Sequence, residues 1–587
     1  MKEFCKYKYL FLFILVAGFA GCNHSTVKST FGNSRHAESP YPLITIDETA
    51  SAWSVSPLLY GAQLQHPNGK PFPFIGVLHV DGKFYRFMGA GERPAKSWEG
   101  KYTFSKPAGE WTSQSFDDSA WLTGKAPFGT PVDYRVNTLW NTPDIWVRRE
   151  INIGQENINK PLMLHYSHDD IFTLYINGIE TVKTSYEWQQ DQALELSDTV
   201  RKTIQDGKIL IAAHCMNKGG GALVDFDIQP EEVASQLAVD VQATQTHCRF
   251  ACGQVELKLT FTAPLLPDNV ELFARPINYI SYEITPLDGK THEIDISFAI
   301  LNDTTHSDTT EVYKQKGLWY VKTGKIKQKL FEQTQKEWGY FYLCSDTANT
   351  SIEQDSSMIS ITQSFHQAGS FFGKIMAGYD DIYAIQSFGE NIRPYWNRNG
   401  DKTIEQALTE ANRDYRQTIK QCNTFDLRFR EYPEFAVYRQ TIAAFKVVAD
   451  KSGNLALVSK DGVTGIMRSS PVFLPFGSRW MKTQLNPLME YAQSDKWGKA
   501  YAPSNMGDYP LLSGQIGSAL SPLEATSKML TLLAMVTASD GNTKYVRKHW
   551  QAISQWRQFL NRNKLKAEEL DAVSAGNAAY EYMRKKL

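Results

Sequence analysis

The groups able to do chemistry in this chain are mostly carboxylates, and few of them stand in a recognisable arrangement. Asp380-Asp381 and Asp169-Asp170 are adjacent acid pairs, and Glu524 follows Pro522 by two positions. Opposed carboxylates can take a proton from water and give one to a leaving group. Each has a plainer role: Asp pairs in turns bond nearby backbone N–H groups, and a Glu in the first turn of a helix meets the helix dipole. Asp169-Asp170 and Asn177 read as turn formers. Trp396, Trp497, Tyr509 and Gln515 lie in stretches broken by Pro and Gly, where loop side chains could line a pocket instead of a core. The sequence contains no Walker loop, dinucleotide fingerprint, His-Glu-x-x-His helix or Gly-x-Ser-x-Gly elbow.

Thiols divide by position. Lys2, Lys6 and Lys8 precede an apolar run from Leu10 to Ala20, too short to span a bilayer comfortably and suited to a signal peptide. The run ends in Phe19-Ala20-Gly21-Cys22, which reads as a bacterial lipobox with Cys22 as the acylated residue. Residues 1–21 are then the signal and 22–40 a polar tether, and the mature protein is expected to be exported and lipid-anchored in the bacterial envelope. Removing Cys5 with the signal and Cys22 with the lipid leaves Cys215, Cys248, Cys252, Cys344 and Cys422, an odd number that rules out a dense disulfide framework. Cys248 and Cys252, four apart, would lie about 13 Å from each other along a strand, too far for a bridge. They lack further ligands at zinc spacing, so buried free thiols are expected, with no metal and no cofactor.

These groups sit in a chain of 587 residues with 42% hydrophobic content, enough for several cores. The balance of 62 Lys and Arg against 63 Asp and Glu excludes a basic phosphate-tracking surface, so nucleic acid is not an expected partner. Period-two alternation marks β structure. Residues 41–100 hold short strands before turns such as Asp81-Gly82, and in 101–230 Phe172, Leu174 and Ile176 alternate up to the Asn177-Gly178 turn, as in a jelly-roll sandwich. In 231–400, Val255, Leu257, Leu259 and Phe261 alternate, and so do Ile294, Ile296, Phe298 and Ile300, giving a second sandwich. From 401 to 587 the period becomes 3.6, on Ile404, Leu408, Ala411, Tyr415 and Ile419, on Phe435, Tyr438, Ile442, Phe445 and Val448, and on Val546, Trp550, Ile553 and Leu560. About five or six helices are expected there.

Particular segments go further than composition. Tyr41-Pro-Leu-Ile-Thr45, Phe116-Asp-Asp-Ser-Ala-Trp121, His168-Asp-Asp170, Leu259-Thr-Phe-Thr-Ala-Pro-Leu-Leu266, Trp338-Gly-Tyr340 and Tyr379-Asp-Asp381 occur in order, followed by Leu485-Asn-Pro487, Lys496-Trp497, Tyr509-Pro510, Gly514-Gln515 and Lys548-His-Trp550. In these the chain resembles the bacterial glutaminase A family. The resemblance implies a galactose-binding-like jelly roll, a β-supersandwich and a six-hairpin helical toroid, and hydrolysis of L-glutamine to glutamate and ammonia without a nucleophilic Ser or Cys. It places the pocket at the toroid mouth against a loop of the β domain. The substrate-binding candidates are Tyr379, Asp380, Asp381, Arg393, Trp396, Trp497, Tyr509 and Gln515, and the catalytic candidates are Glu524, Glu568 and Glu569.

The chain departs from the family pattern at several acidic and His positions. His-Asp reads Ser504-Asn505, Glu-Glu reads Glu524-Ala525, an Asp-Asp pair survives only as Glu568-Glu569, and the following His-Asn reads Gly576-Asn577. Twelve helices need about 216 residues at average lengths, whereas Thr403 to Leu587 provide 185. The expected fold class is therefore multidomain β + α, with jelly-roll and supersandwich domains followed by an incomplete (α/α)6 toroid whose open face would be exposed or covered by a partner. Three functions fit: a glutaminase, a non-catalytic protein holding an amino acid or sugar, and a six-hairpin glycosidase, which also needs two carboxylates.

Overall fold

A computed structural model describes residues 40–587 apart from 91–97, 132–135, 159, 231–232, 302–308, 326–337, 347, 355–357, 368, 508–509, 518–519 and 563–568. The expected signal, tether and Cys22 lie outside the described residues, as do Tyr509 and Glu568. The order is β, β, then mainly α, with short strands inside the helical part.

The jelly roll is built around one long strand, Leu162–Ile176, which pairs in one sheet with Glu187–Glu195 and Leu223–Pro230 and in the other with Lys208–Met216. It ends in the anticipated hairpin: Asn177 and Gly178 have φ of 47° and 82°, the left-handed pair that a type I′ turn requires. Beside it an eight-stranded antiparallel sheet runs from Ser235–Val241 at one edge to Thr309–Gln315 at the other. A five-stranded sheet covers it, and the inner faces meet through Leu257, Leu259, Phe261 and Ile280 on one side and Ile296 and Phe298 on the other. Cys248 and Cys252 point into this core as free thiols, and all five described cysteines are free and buried.

Within residues 41–72 the strands Tyr41–Ile44, Ala52–Ser54, Leu64–Gln65 and Pro71–Phe72 form a small sheet of their own. Phe74–Val80 pairs with His292–Leu301 over seven residues, from Val80 opposite Ile294 to Phe74 opposite Ile300, so the N-terminal segment completes the second sandwich. The physical reason lies in its buried-and-half-exposed alternation, which leaves an apolar face that only a neighbouring sheet can cover.

The C-terminal part contains six described helices of twelve or more residues, in line with the five or six expected: α1 (Ile404–Phe429), α3 (Gly462–Phe473), α4 (Ser478–Ala492), α5 (Pro522–Asp540), α7 (Trp550–Arg562) and α8 (Leu570–Lys586). The short helices α2 (Tyr438–Ala443) and α6 (Lys544–Lys548) lie between them. Helix α1 starts at a Thr403/Gln406 capping box and lays Ile404, Ala407, Leu408 and Ala411 on the outer face of the eight-stranded sheet, against Ile277, Tyr279, Tyr320 and Met376. Helix α5 is the hub. It is buried on several sides, with Leu523, Met529, Leu530, Leu532, Leu533 and Val536 all inside, and packs against α3, α4, α7 and α8.

One helical expectation fails. The spacing Phe435 to Val448 spans a 3-10 turn, α2 and then a strand, Phe445–Ala449, hairpinned to Leu455–Ser459. Val447 and Val448 are β-branched and the Asp450–Asn454 turn follows at once, with Asp450 Oδ1 accepting from the N–H groups of Ser452 and Asn454 at 2.8 Å each. Large apolar side chains left exposed in this part, among them Leu427, Val437 and Leu570, are separated in sequence. Among the described residues no helix is long and apolar enough to cross a membrane.

Candidate functional site

A cavity of about 320 Å³ opens at the N-terminus of α5. Tyr501, Ser504, Gln515, Ile516, Pro522 and Ala525 line most of it, with Ala502, Gly517 and Leu520 completing the wall. Two loops are folded together to make this space. The Ser504 N–H donates to Gln515 Oε1 at 2.7 Å, and the Gln515 N–H donates to the Tyr491 hydroxyl at 3.0 Å. Asn505 Oδ1 accepts from Gly507 and Ile516, each at 3.2 Å. Helix α3 begins at Gly462, with φ of 54° and the Ser504 carbonyl 2.0 Å from where a Cβ would stand, so only glycine permits this approach. Tyr501 is braced by Trp497, whose indole N–H donates to the Tyr501 carbonyl at 2.6 Å, and by Phe559. The β domain reaches in through Gln386-Ser387, which pairs in parallel with Leu511-Leu512 just before Gln515.

Glu524 stands one residue before the cavity-lining Ala525, but its carboxylate is engaged locally. Glu524 Oε2 accepts from the Ser521 N–H at 2.8 Å while the Ser521 hydroxyl accepts from the Glu524 N–H at 3.2 Å, a complete capping box. Ser504 and Ala525 both line the cavity. Gly576 lies against Ser527 of α5, with the Ser527 Cα 2.8 Å from a Cβ position. Glu569 is half-buried at the N-terminus of α8 and makes no capping bond there.

The remaining candidates gather elsewhere. Tyr379, Asp381 and Trp396 line a smaller cavity, about 40 Å³, where the N-terminal segment, the β domain and the helical part meet. Asp381 is held there by Lys446, 3.2 Å away, and Lys446 also bonds Asp47; all three side chains are under 10% exposed. Burial opposes ionisation of Asp47, but the Lys446 ammonium and the Thr49 donors outweigh it and hold the carboxyl below its ordinary range. Burial and the Asp47 charge push Asp381 up in spite of Lys446, and burial of Lys446 is outweighed by the two carboxylates, which raise it. Asp380 accepts from the Ile382 N–H at 2.9 Å, the local turn role, and burial with repulsion from Asp381 and Glu405 pushes it up to about 6. Tyr379 donates to the Trp338 carbonyl, and Arg393 lies 4.9 Å over the Tyr383 ring.

The structure thus brings Gln515 into the larger cavity, places Trp497 behind its wall and Glu524 at its edge, and collects Tyr379, Asp381 and Trp396 at a second cavity that shares no lining residue with the first. Sequence reasoning missed Asp47, Lys446 and Tyr501. Lys446 carried one signal, a charge inside the apolar run Phe445-Lys-Val-Val.

The model of the Glutaminase A six helical-hairpin domain matches residues 434–578, and two further models, both described as domains of unknown function, match 244–375 with 366–431, and 16–97. Glutaminase A of Aspergillus oryzae is 20% identical over 370 residues, covering 52% of this chain and 54% of that protein. The chain thus spans about half the length of this curated relative. Among solved structures, a putative kojibiose phosphorylase from the human microbiome has a TM-score of 0.32 at 9% identity, covering 58% of this chain and 55% of that one. A glycosyl hydrolase family 2 member from Bacteroides cellulosilyticus has a TM-score of 0.23 at 14% identity, covering 47% and 38%. Residues 434–578 are thus similar to the Glutaminase A six helical-hairpin domain, and the matches together support a glutaminase A-like family.

Proposed function

We propose that this chain is an exported, lipid-anchored member of the family that binds a small uncharged ligand, rich in hydroxyl or amide groups, in the cavity at the start of α5, with the hydrolytic step reduced or lost. The observation that carries this reading is the cavity wall. Tyr501, Ser504 and Gln515 offer neutral hydrogen-bonding groups between apolar surfaces, and among the described residues lining it there is no carboxylate, imidazole, ammonium or guanidinium. Amide hydrolysis by activated water needs a base for the water and an acid for the leaving nitrogen. Glu524, the nearest carboxylate by sequence, already satisfies a helix end. A neutral wall also favours a polyol or amide over a zwitterion, whose charges would lose water without gaining partners.

Thermal unfolding in the presence of neutral monosaccharides and of glutamine tests the reading. A ligand at about 100 times its Kd stabilises by about 2.7 kcal/mol, and Ala525→Trp, which fills the cavity, should abolish the shift. No shift with any neutral ligand would remove the support. Replacement of Cys22 by Ser should release the protein from the membrane fraction if the lipobox reading is right. A second reading, glutamine hydrolysis, is favoured by the kinship to a glutaminase A and by the place of Glu524 beside Ala525. It separates from the first by turnover: ammonia release that is lost in Glu524→Gln, a change that keeps the capping bond.

A further inference from the structure

The smaller cavity holds three unanswered polar groups. Thr45 Oγ1, Arg275 Nε and Trp396 Nε1 are buried, have no hydrogen-bond partner among the described residues, and belong to side chains that line the same space of about 40 Å³. Thr45 is 2% exposed and Trp396 7%. Native proteins leave few buried polar atoms unpaired, so three on one cavity point to a common occupant. Two of the three are obligate donors, an indole N–H and a guanidinium N–H, so that occupant must accept. It must also tolerate Asp47 and Asp381, which line the cavity beside Lys446.

Size decides the class. A free amino acid or sugar needs a pocket of several hundred Å³, while a water needs about 10 to 15 Å³ of accessible space and two to four polar partners. We infer that this cavity is a built hydration site: two or three ordered waters accept from Trp396 Nε1, Arg275 Nε and Thr45, and donate to the carboxylates, joining the N-terminal segment, the β domain and the strand Phe445–Ala449. A monoatomic anion would satisfy the donors equally, but it would face two carboxylates with no donor proton to offer them. Tyr379, Asp381 and Trp396 therefore serve the junction between domains, whatever the larger cavity binds.

The test is a crystal structure of the mature wild-type chain, with thermal unfolding of Thr45→Val, Trp396→Phe and the double variant. Density for waters within hydrogen-bond distance of Trp396 Nε1, and a double variant whose Tm falls no further than the worse single variant, are the expected results, because both changes empty one shared site. A dry cavity in a map that shows waters elsewhere would overturn the inference, as would additive Tm losses. An anomalous peak at the site in a bromide-soaked crystal would overturn it in favour of an anion.

Discussion

Replacing Lys446 by Met tests how the helical part is fixed to the β core. Lys446 lies between Asp47 and Asp381, with side-chain exposures of 6%, 5% and 9%. Across the 3.2 Å to Asp381 the attraction between unit charges is about 5 kcal/mol at an effective dielectric of about 20. The pair with Asp47 is closer still, and most of both terms is offset by taking the charges out of water. Met keeps the volume and removes the ammonium, so the two carboxylates are left facing each other without a counter-charge. Removal of one partner from a buried pair costs about 3 to 5 kcal/mol. Urea unfolding at pH 7, followed by tryptophan fluorescence, should show that loss. The pH dependence carries a sign. Asp47 has a depressed folded-state pKa, so its stabilisation is present above the unfolded-state value and is lost as pH falls through the folded one. The difference between wild type and Lys446→Met should therefore narrow in acid. The triple variant in which Asp47→Asn and Asp381→Asn accompany Lys446→Met should recover part of the loss. A single variant within about 0.5 kcal/mol of wild type at pH 7 would refute the reasoning.

Three further outcomes follow from named contacts. Ser521→Ala removes half of the α5 capping box and should cost about 1 kcal/mol by denaturant unfolding, with a matching fall in the ligand-induced thermal shift because Pro522 and Ala525 form the cavity wall. Gly462→Ala places a methyl group against the Ser504 carbonyl at a φ of 54° and should destabilise by at least about 1 to 2 kcal/mol, measured in the same way. His549 is buried, with Nδ1 against Gln493 Oε1 at 2.6 Å, and burial followed by repulsion from Lys548 pulls its pKa down to about 4. It thus stabilises the fold fully above about pH 6.5, and that contribution declines as pH falls toward 4; a series of Tm values from pH 7.5 to 4 should flatten in His549→Gln.

Elements whose signals are local were legible in the sequence. Val255–Thr262 and His292–Leu301 alternate because one face of each meets the sandwich core, and Asn177-Gly178 closes a hairpin because both residues accept positive φ. The second half of the Phe435–Val448 segment was not, since a short run of apolar residues at three- and four-residue spacing fits a helix as well as a turn followed by a strand. The pairing of Phe74–Val80 with residues more than two hundred positions later has no local mark at all. The site divides in the same way. Gln515 was readable as a loop residue between helices, and Glu524 as a helix-start carboxylate, because both roles are short-range. Asp47 and Lys446 are 399 positions apart, and only the closed fold shows them as partners.

Ammonia release from L-glutamine by the purified mature chain at high enzyme loading, run beside Glu524→Gln, addresses the central claim most directly. A neutral cavity wall at the start of α5, with Glu524 committed to Ser521, predicts no release above the buffer control from either protein while a neutral ligand still raises Tm. Sustained release by the wild type that disappears in Glu524→Gln would contradict the account and restore hydrolysis to this chain.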